Sequence, residues 1–197
     1  MTLPWMVSLH GGHSGAFCEH AKGSLEEVLE AAATKGFSTF GVSEHAPRSA
    51  EHLLYPEERQ KGFTVERLAQ DFAEYVPEVR RLQALFEDRL EVLCGFETEA
   101  APSGWSDEMT QLRMEHGFDF IVGSVHHVRD ILVDASPDTL AAAADACGGL
   151  EAMALEYYDT VAQMVSLLRP EVVGHLDLIR KHARAVGCVD TPRIRRR

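Results

Sequence analysis

Seven of the ten histidines in this chain, His10, His13, His20, His45, His126, His127 and His175, lie within or beside turns that follow short apolar runs; only His52, His116 and His182 lie elsewhere. Imidazole nitrogen and carboxylate oxygen are the donors that divalent transition metals prefer, and a hydrolytic centre needs several of them arriving from separate segments. With the acid of Phe96-Glu97-Thr98, the candidate ligands are His10, His13, His20, His45, Glu97, His126 and His175. A single loop histidine is more often structural, because imidazole readily satisfies a local backbone partner. The set carries weight that no member has alone. Other chemistries leave no signature: there is no G-x-x-x-x-G-K-[ST] loop, no G-x-S-x-G elbow and no H-E-x-x-H helix.

The elements that must position these residues alternate between strand and helix. Trp5 to Leu9 is an apolar run ending at His10, and Ser24-x-x-Glu27 is a capping box for a helix from Leu25 to about Lys35, stopped by Gly36. Phe37 to Ser43 is β-rich and ends at Glu44-His45; Pro47 to about Gly62 is polar and predicts a long loop. Thr64 caps a helix to about Asp88, which Pro77 is expected to kink, and Leu90 to Gly95 leads into Glu97 and Glu99. A helix over Ser106 to His116 precedes the run Phe118 to Val125, which ends at His126-His127. An alanine-rich helix after Pro137 breaks at Gly148-Gly149, another runs to about Leu168, and Glu171 to Gly174 ends at His175. Strands alternating with helices call for parallel pairing, and in such α/β folds sites form at the carboxyl ends of the strands. Each of the five runs is followed there by His or Glu.

Composition narrows the partners. The 197 residues, 45% hydrophobic and 25% charged, suffice for one core and read as a single domain over 1–197. A net charge of −12, from 31 acids against 19 bases, would repel a phosphodiester backbone and argues against nucleic acid. No apolar stretch is long enough for a bilayer, and Cys18, Cys94, Cys147 and Cys188 form no C-x-x-C pair, so a cytoplasmic setting without membrane contact is expected.

His10-Gly11-Gly12-His13-Ser14 with Cys18-Glu19-His20-Ala21, then Ser43-Glu44-His45-Ala46-Pro47, Gly95-Phe96-Glu97-Thr98-Glu99, Gly123-Ser124-Val125-His126-His127 and Gly174-His175-Leu176-Asp177, follow one another in an order that resembles the polymerase-and-histidinol-phosphatase (PHP) phosphoesterases, in particular their histidinol-phosphatase branch. The resemblance implies a distorted (β/α) barrel with its metal site at the C-terminal strand ends. It implies two to three divalent ions (Zn, Fe or Mn): His10, His13 and Glu97 serving one, Glu97, His126 and His175 a second, His20 and His45 the third. It implies a small phosphorylated substrate, histidinol phosphate, split to histidinol and phosphate in histidine biosynthesis by a metal-bound water. His127 has two readings, orienting a neighbour or protonating the leaving group against capping a turn. Arg129 and Arg180 are candidates for the substrate phosphate, against the commoner reading of surface arginines. Glu44 and Glu99 stay open, because alternate strand residues face opposite sides.

Two departures from the family pattern shape the expectations. Two glycines, not one residue, separate His10 from His13. The family's closing strand, with an Asp and a His two residues apart, has no counterpart after Asp177. With about five strands the barrel is expected to be incomplete, a truncated or frame-shifted form of a longer protein, whose open sheet edges invite pairing with another copy. Two alternatives follow: a metal-binding remnant with weak turnover, or a PHP phosphoesterase of another substrate.

Overall fold

The computed structural model describes residues 5–99, 105–187 and 191–196. The chain folds into two compact units, one of Met1–Glu97 with Arg113–Val122, the other of Thr98–Leu112 with Gly123–Arg197. The class is α/β; in the first unit the strands run in the order β1 (Val7–Ser8), β2 (Thr39–His45), β3 (Glu91–Glu97) and β4 (Phe120–Gly123), and the second unit holds β7 (Val172–Val173). Among the described residues no helix is long and apolar enough to cross a membrane.

In the first unit, β1 to β4 pair in parallel, as the intervening helices require. Helix α1 (Leu25–Thr34) starts at the Ser24–Glu27 capping box and buries Leu25, Leu29 and Ala32. Helix α3 (Val65–Phe86) begins at Thr64, whose side chain accepts from the Arg67 N–H, and runs through Pro77 as one element. It buries Leu68, Phe72, Tyr75, Val76, Val79, Leu82 and Phe86, and the Tyr75 hydroxyl donates to the Gly95 carbonyl at 2.7 Å. The register of β2 on β3 sets Ser43 opposite Gly95 and His45 opposite Glu97, so two candidate ligands finish side by side. On the same face, a Cβ at Gly41 or Gly95 would fall 2.6 or 2.5 Å from the Phe120 ring, so both strands need glycine where that ring packs. The polar stretch after Pro47 is not a plain loop: it holds a 3-10 turn (Glu51–Leu53) and helix α2 (Pro56–Gln60), with Pro56 at the helix start, where its missing N–H is harmless.

In the second unit, α4 (Trp105–His116) contributes its first part, and α5 (Pro137–Ala146), α6 (Leu150–Leu168) and α7 (Ala183–Val186) surround a core of Val125, Val128, Val133, Leu140, Met153, Tyr157, Met164 and Ile179. The Gly174 N–H donates to the Gly123 carbonyl at 2.9 Å. The expected strand through Val125 stops at Gly123, and an antiparallel hairpin of β5 (His127–Val128) and β6 (Ile131–Leu132) follows. Its two-residue turn, Arg129-Asp130, has φ of 50° and 61°, the left-handed conformation such turns require but for which Arg is an unusual choice.

Candidate metal centre

In the first unit the ends of three strands deliver one cluster. Its hub is Glu97, 1% exposed at the end of β3. His13 Nε2 and His45 Nδ1 each lie 3.3 Å from its Oε2, and His10 Nε2 lies 3.5 Å from Oε1. The rings of His13 and His45 stack at 4.3 Å and 9°, with His20 edge-on to both at 5.2 and 5.4 Å. His13, His20 and His45 each offer a nitrogen within 4.8 Å of the others. The extra glycine between His10 and His13 is absorbed locally: Gly12 takes φ 107°, the Gly11 N–H donates to the Gly41 carbonyl at 3.0 Å, and both imidazoles still reach Glu97.

A buried polar ring of neighbours holds these imidazoles. His10 Nδ1 lies 2.9 Å from Ser43 Oγ, and His13 Nδ1 lies 3.1 Å from Glu44 Oε2. Glu44, only 2% exposed, also accepts from the Ser14 N–H at 2.7 Å and the Ser14 hydroxyl at 3.0 Å. That answers the question alternation left open for Glu44: the loop after β1 crosses the strand end and meets its carboxylate there. Burial works to lower the pKa of His13, but the hydrogen bonds and charges of Glu44 and Glu97 outweigh it and raise the group from 6.5 to about 9. Burial, then the neighbouring His13, lowers that of His20. Cys18 Sγ lies 3.1 Å from a ring nitrogen of His20, and burial pushes its thiol up to about 12, so it is no ready nucleophile.

In the second unit, Glu99 is 4% exposed, with His126 Nδ1 at 3.1 Å and His127 Nδ1 at 4.0 Å from its Oε2. The His126 and His175 rings lie 4.9 Å apart. The Ser124 N–H donates to Thr98 Oγ1 at 3.0 Å, tying the segment of Glu99 to that of His126. Arg129 sits in the hairpin turn, its guanidinium occupied by Glu156 at 2.8 to 3.1 Å and by the Ala146 carbonyl. Arg180 is exposed, 3.7 Å from Asp177. Sequence reasoning did not single out Ser14 or Ser43; the available signal was a small hydroxyl next to each motif histidine or acid.

The donors fit cations. Contacts of 3.3–3.5 Å around Glu97 are longer than the usual hydrogen bond. They match the roughly 3.4 Å that separates two ligands each about 2.1 Å from one ion at a tetrahedral angle. Imidazole with carboxylate is the donor set of Zn, Fe and Mn.

Comparison with known proteins agrees on the family. A PHP domain model matches residues 10–193. The chain belongs to the PHP domain family. A "Probable histidinol-phosphatase" of Schizosaccharomyces pombe is 38% identical over 174 residues, 88% of this chain and 56% of that protein. The HisK chain of Listeria monocytogenes has the same fold, with a TM-score of 0.74 at 24% identity over 87% of this chain and 68% of its own. A histidinol phosphate phosphatase of Lactococcus lactis, solved with zinc, L-histidinol and phosphate, superposes with a TM-score of 0.59 at 20% identity, over 89% of this chain and 57% of that one. The chain spans about half the length of the curated relatives it matches.

Proposed function

We propose that this PHP chain is a metal-dependent phosphomonoesterase whose substrate is histidinol phosphate, hydrolysed to histidinol and phosphate. One observation carries the reading: a buried carboxylate, Glu97, with three imidazole nitrogens within 3.5 Å of it. The relatives named histidinol-phosphatase, and the Lactococcus protein with histidinol and phosphate bound, support the substrate. The net charge of −12 supports a small ligand over a nucleic acid.

In this proposal the ligands are the seven read from sequence: His10, His13, His20, His45 and Glu97 in the first unit's cluster, His126 and His175 in the second's. When bound, divalent cations lower the pKa of water to near neutrality and neutralise phosphoryl oxygens. The chain's own residues do the rest. Glu44 and Ser43 keep Nδ1 of His13 and of His10 engaged, so that Nε2 of each points at Glu97. Glu99 engages Nδ1 of His126 and leaves its Nε2 as the nitrogen to offer a cation. His127, beside Glu99 and 4% exposed, is the proposed carrier of a proton to the leaving alkoxide.

Phosphate release from histidinol phosphate, assayed with added manganese, zinc or iron, tests the proposal. Turnover that vanishes with chelator and returns with metal is the expected result. The competing reading is a metal-binding protein with little turnover. Well-folded, metal-loaded protein that releases no phosphate would establish it in place of the first.

A further inference from the structure

The excursion after β2, expected to be a loop, builds a buried assembly against one of the candidate ligands. The Tyr55 ring, 8% exposed, stands edge-on to the His45 ring, with centroids 5.5 Å apart and planes at 88°. The Arg48 guanidinium lies over the Tyr55 ring, 4.3 Å from its centroid, and is ion-paired with Glu58. Glu58 in turn accepts from the Tyr55 N–H at 2.7 Å, fixing the backbone that carries the ring. Arg48 and Glu58 are 3% and 6% exposed. With Cys18, Glu44 and His45 they line one small cavity.

A buried Arg–Glu pair is poor value as a source of stability, since desolvating two charges offsets most of their attraction; such pairs are retained where they impose one arrangement. Here the arrangement imposed is that of an aromatic ring. Stacked on His13 at 4.3 Å and met by Tyr55 from the side, the His45 imidazole is confined in rotation with its Nδ1 toward Glu97. Because Glu58 neutralises Arg48, the assembly adds stiffness without net positive charge next to a place where cations would bind.

We propose that Tyr55 and Arg48 are positioning residues for His45: Tyr55 braces the imidazole, and Arg48, held by Glu58, braces Tyr55. This rests on the metal reading of the His45 cluster. The test is Co2+ titration of the purified chain, following visible absorption and bound equivalents, for wild type, Tyr55→Phe, Tyr55→Leu and Arg48→Lys. Phe keeps the ring; Leu removes it; Lys keeps the charge but loses the planar fork that stacks and pairs at once. The expected result is wild-type affinity and spectrum for Tyr55→Phe, with about tenfold or greater weakening and an altered spectrum for Tyr55→Leu and Arg48→Lys, the scale of other supporting partners of metal ligands. Should Tyr55→Leu fail to fold, Arg48→Lys against Tyr55→Phe still decides it. Wild-type Co2+ binding in both Tyr55→Leu and Arg48→Lys would overturn this inference and leave the metal reading standing; a wild-type chain that takes up no Co2+ would overturn both.

Discussion

Replacing Glu44 with Gln isolates one proton at the first unit's cluster. The carboxylate makes three contacts: Oε1 accepts from the Ser14 N–H and hydroxyl, and Oε2 faces His13 Nδ1. The single carbonyl oxygen of Gln can keep both Ser14 bonds, which leaves the amide NH2 facing His13. For Nε2 of His13 to offer a lone pair to a cation, Nδ1 must carry the ring proton, so N–H would then face N–H in a buried site. An unsatisfied buried donor costs about 1–3 kcal/mol. Charged wholly to the metal-competent tautomer, and after correcting both proteins for the proton that a cation must displace from His13, that predicts a fall in cation affinity of about 5- to 150-fold. Isothermal titration with Zn2+ or Co2+, beside circular dichroism to show an intact fold, measures it. A variant that folds and binds within twofold of wild type would refute the orienting role. Loss of a whole equivalent of metal, at unchanged affinity for the remainder, would instead make Glu44 itself a ligand, as its grouping with His13 and Cys18 permits. Ser14→Ala, which leaves the His13 contact in place, should shift affinity far less.

Further outcomes follow from the same geometry. Glu97→Gln removes the charge that His10, His13 and His45 surround; at least one equivalent of bound metal should be lost and phosphatase turnover should drop by about two orders of magnitude or more, read by metal analysis and phosphate release. In the metal-free protein His13 is raised from 6.5 to about 9, so the stability it contributes is fully present below pH 6.5 and is lost as pH rises through about 9. A cation must displace that proton, so affinity should climb by about tenfold per pH unit up to pH 9; a flat profile would contradict the Glu44–His13–Glu97 arrangement. Gly95→Ala puts a methyl group 2.5 Å from the Phe120 ring and should lower stability by about 1–3 kcal/mol, seen in the denaturant midpoint, with partial recovery in Gly95→Ala/Phe120→Leu. Arg129→Ala should leave KM for histidinol phosphate unchanged, because Glu156 and the Ala146 carbonyl already occupy the guanidinium; a severalfold rise in KM would restore Arg129 as a phosphate contact.

Local features are legible in the sequence where a local cause exists. The capping box at Ser24, the Thr64 cap and the apolar periodicity placed α1 and α3 within two residues of their ends, because helix starts are decided by groups three residues apart. After Pro47, two prolines and a polar composition mask the short helix that begins at Pro56. The hairpin at Arg129-Asp130 leaves no mark in the sequence for a similar reason: its turn lacks the Asn or Gly that normally reports positive φ.

The letters alone supply a list of candidate donors and their place in the turns after apolar runs: alternating β and α runs force parallel pairing, and parallel strands carry such turns at their carboxyl ends. They could not say that His45 stands opposite Glu97, because register depends on how β2 and β3 pack against α3 and around Phe120. Nor could they assign Glu44, whose carboxylate finds Ser14 and His13 from 30 residues away. Residue type is a local property and survives in the string of letters; which buried carboxylate meets which imidazole is settled only when packing brings distant segments within hydrogen-bond reach.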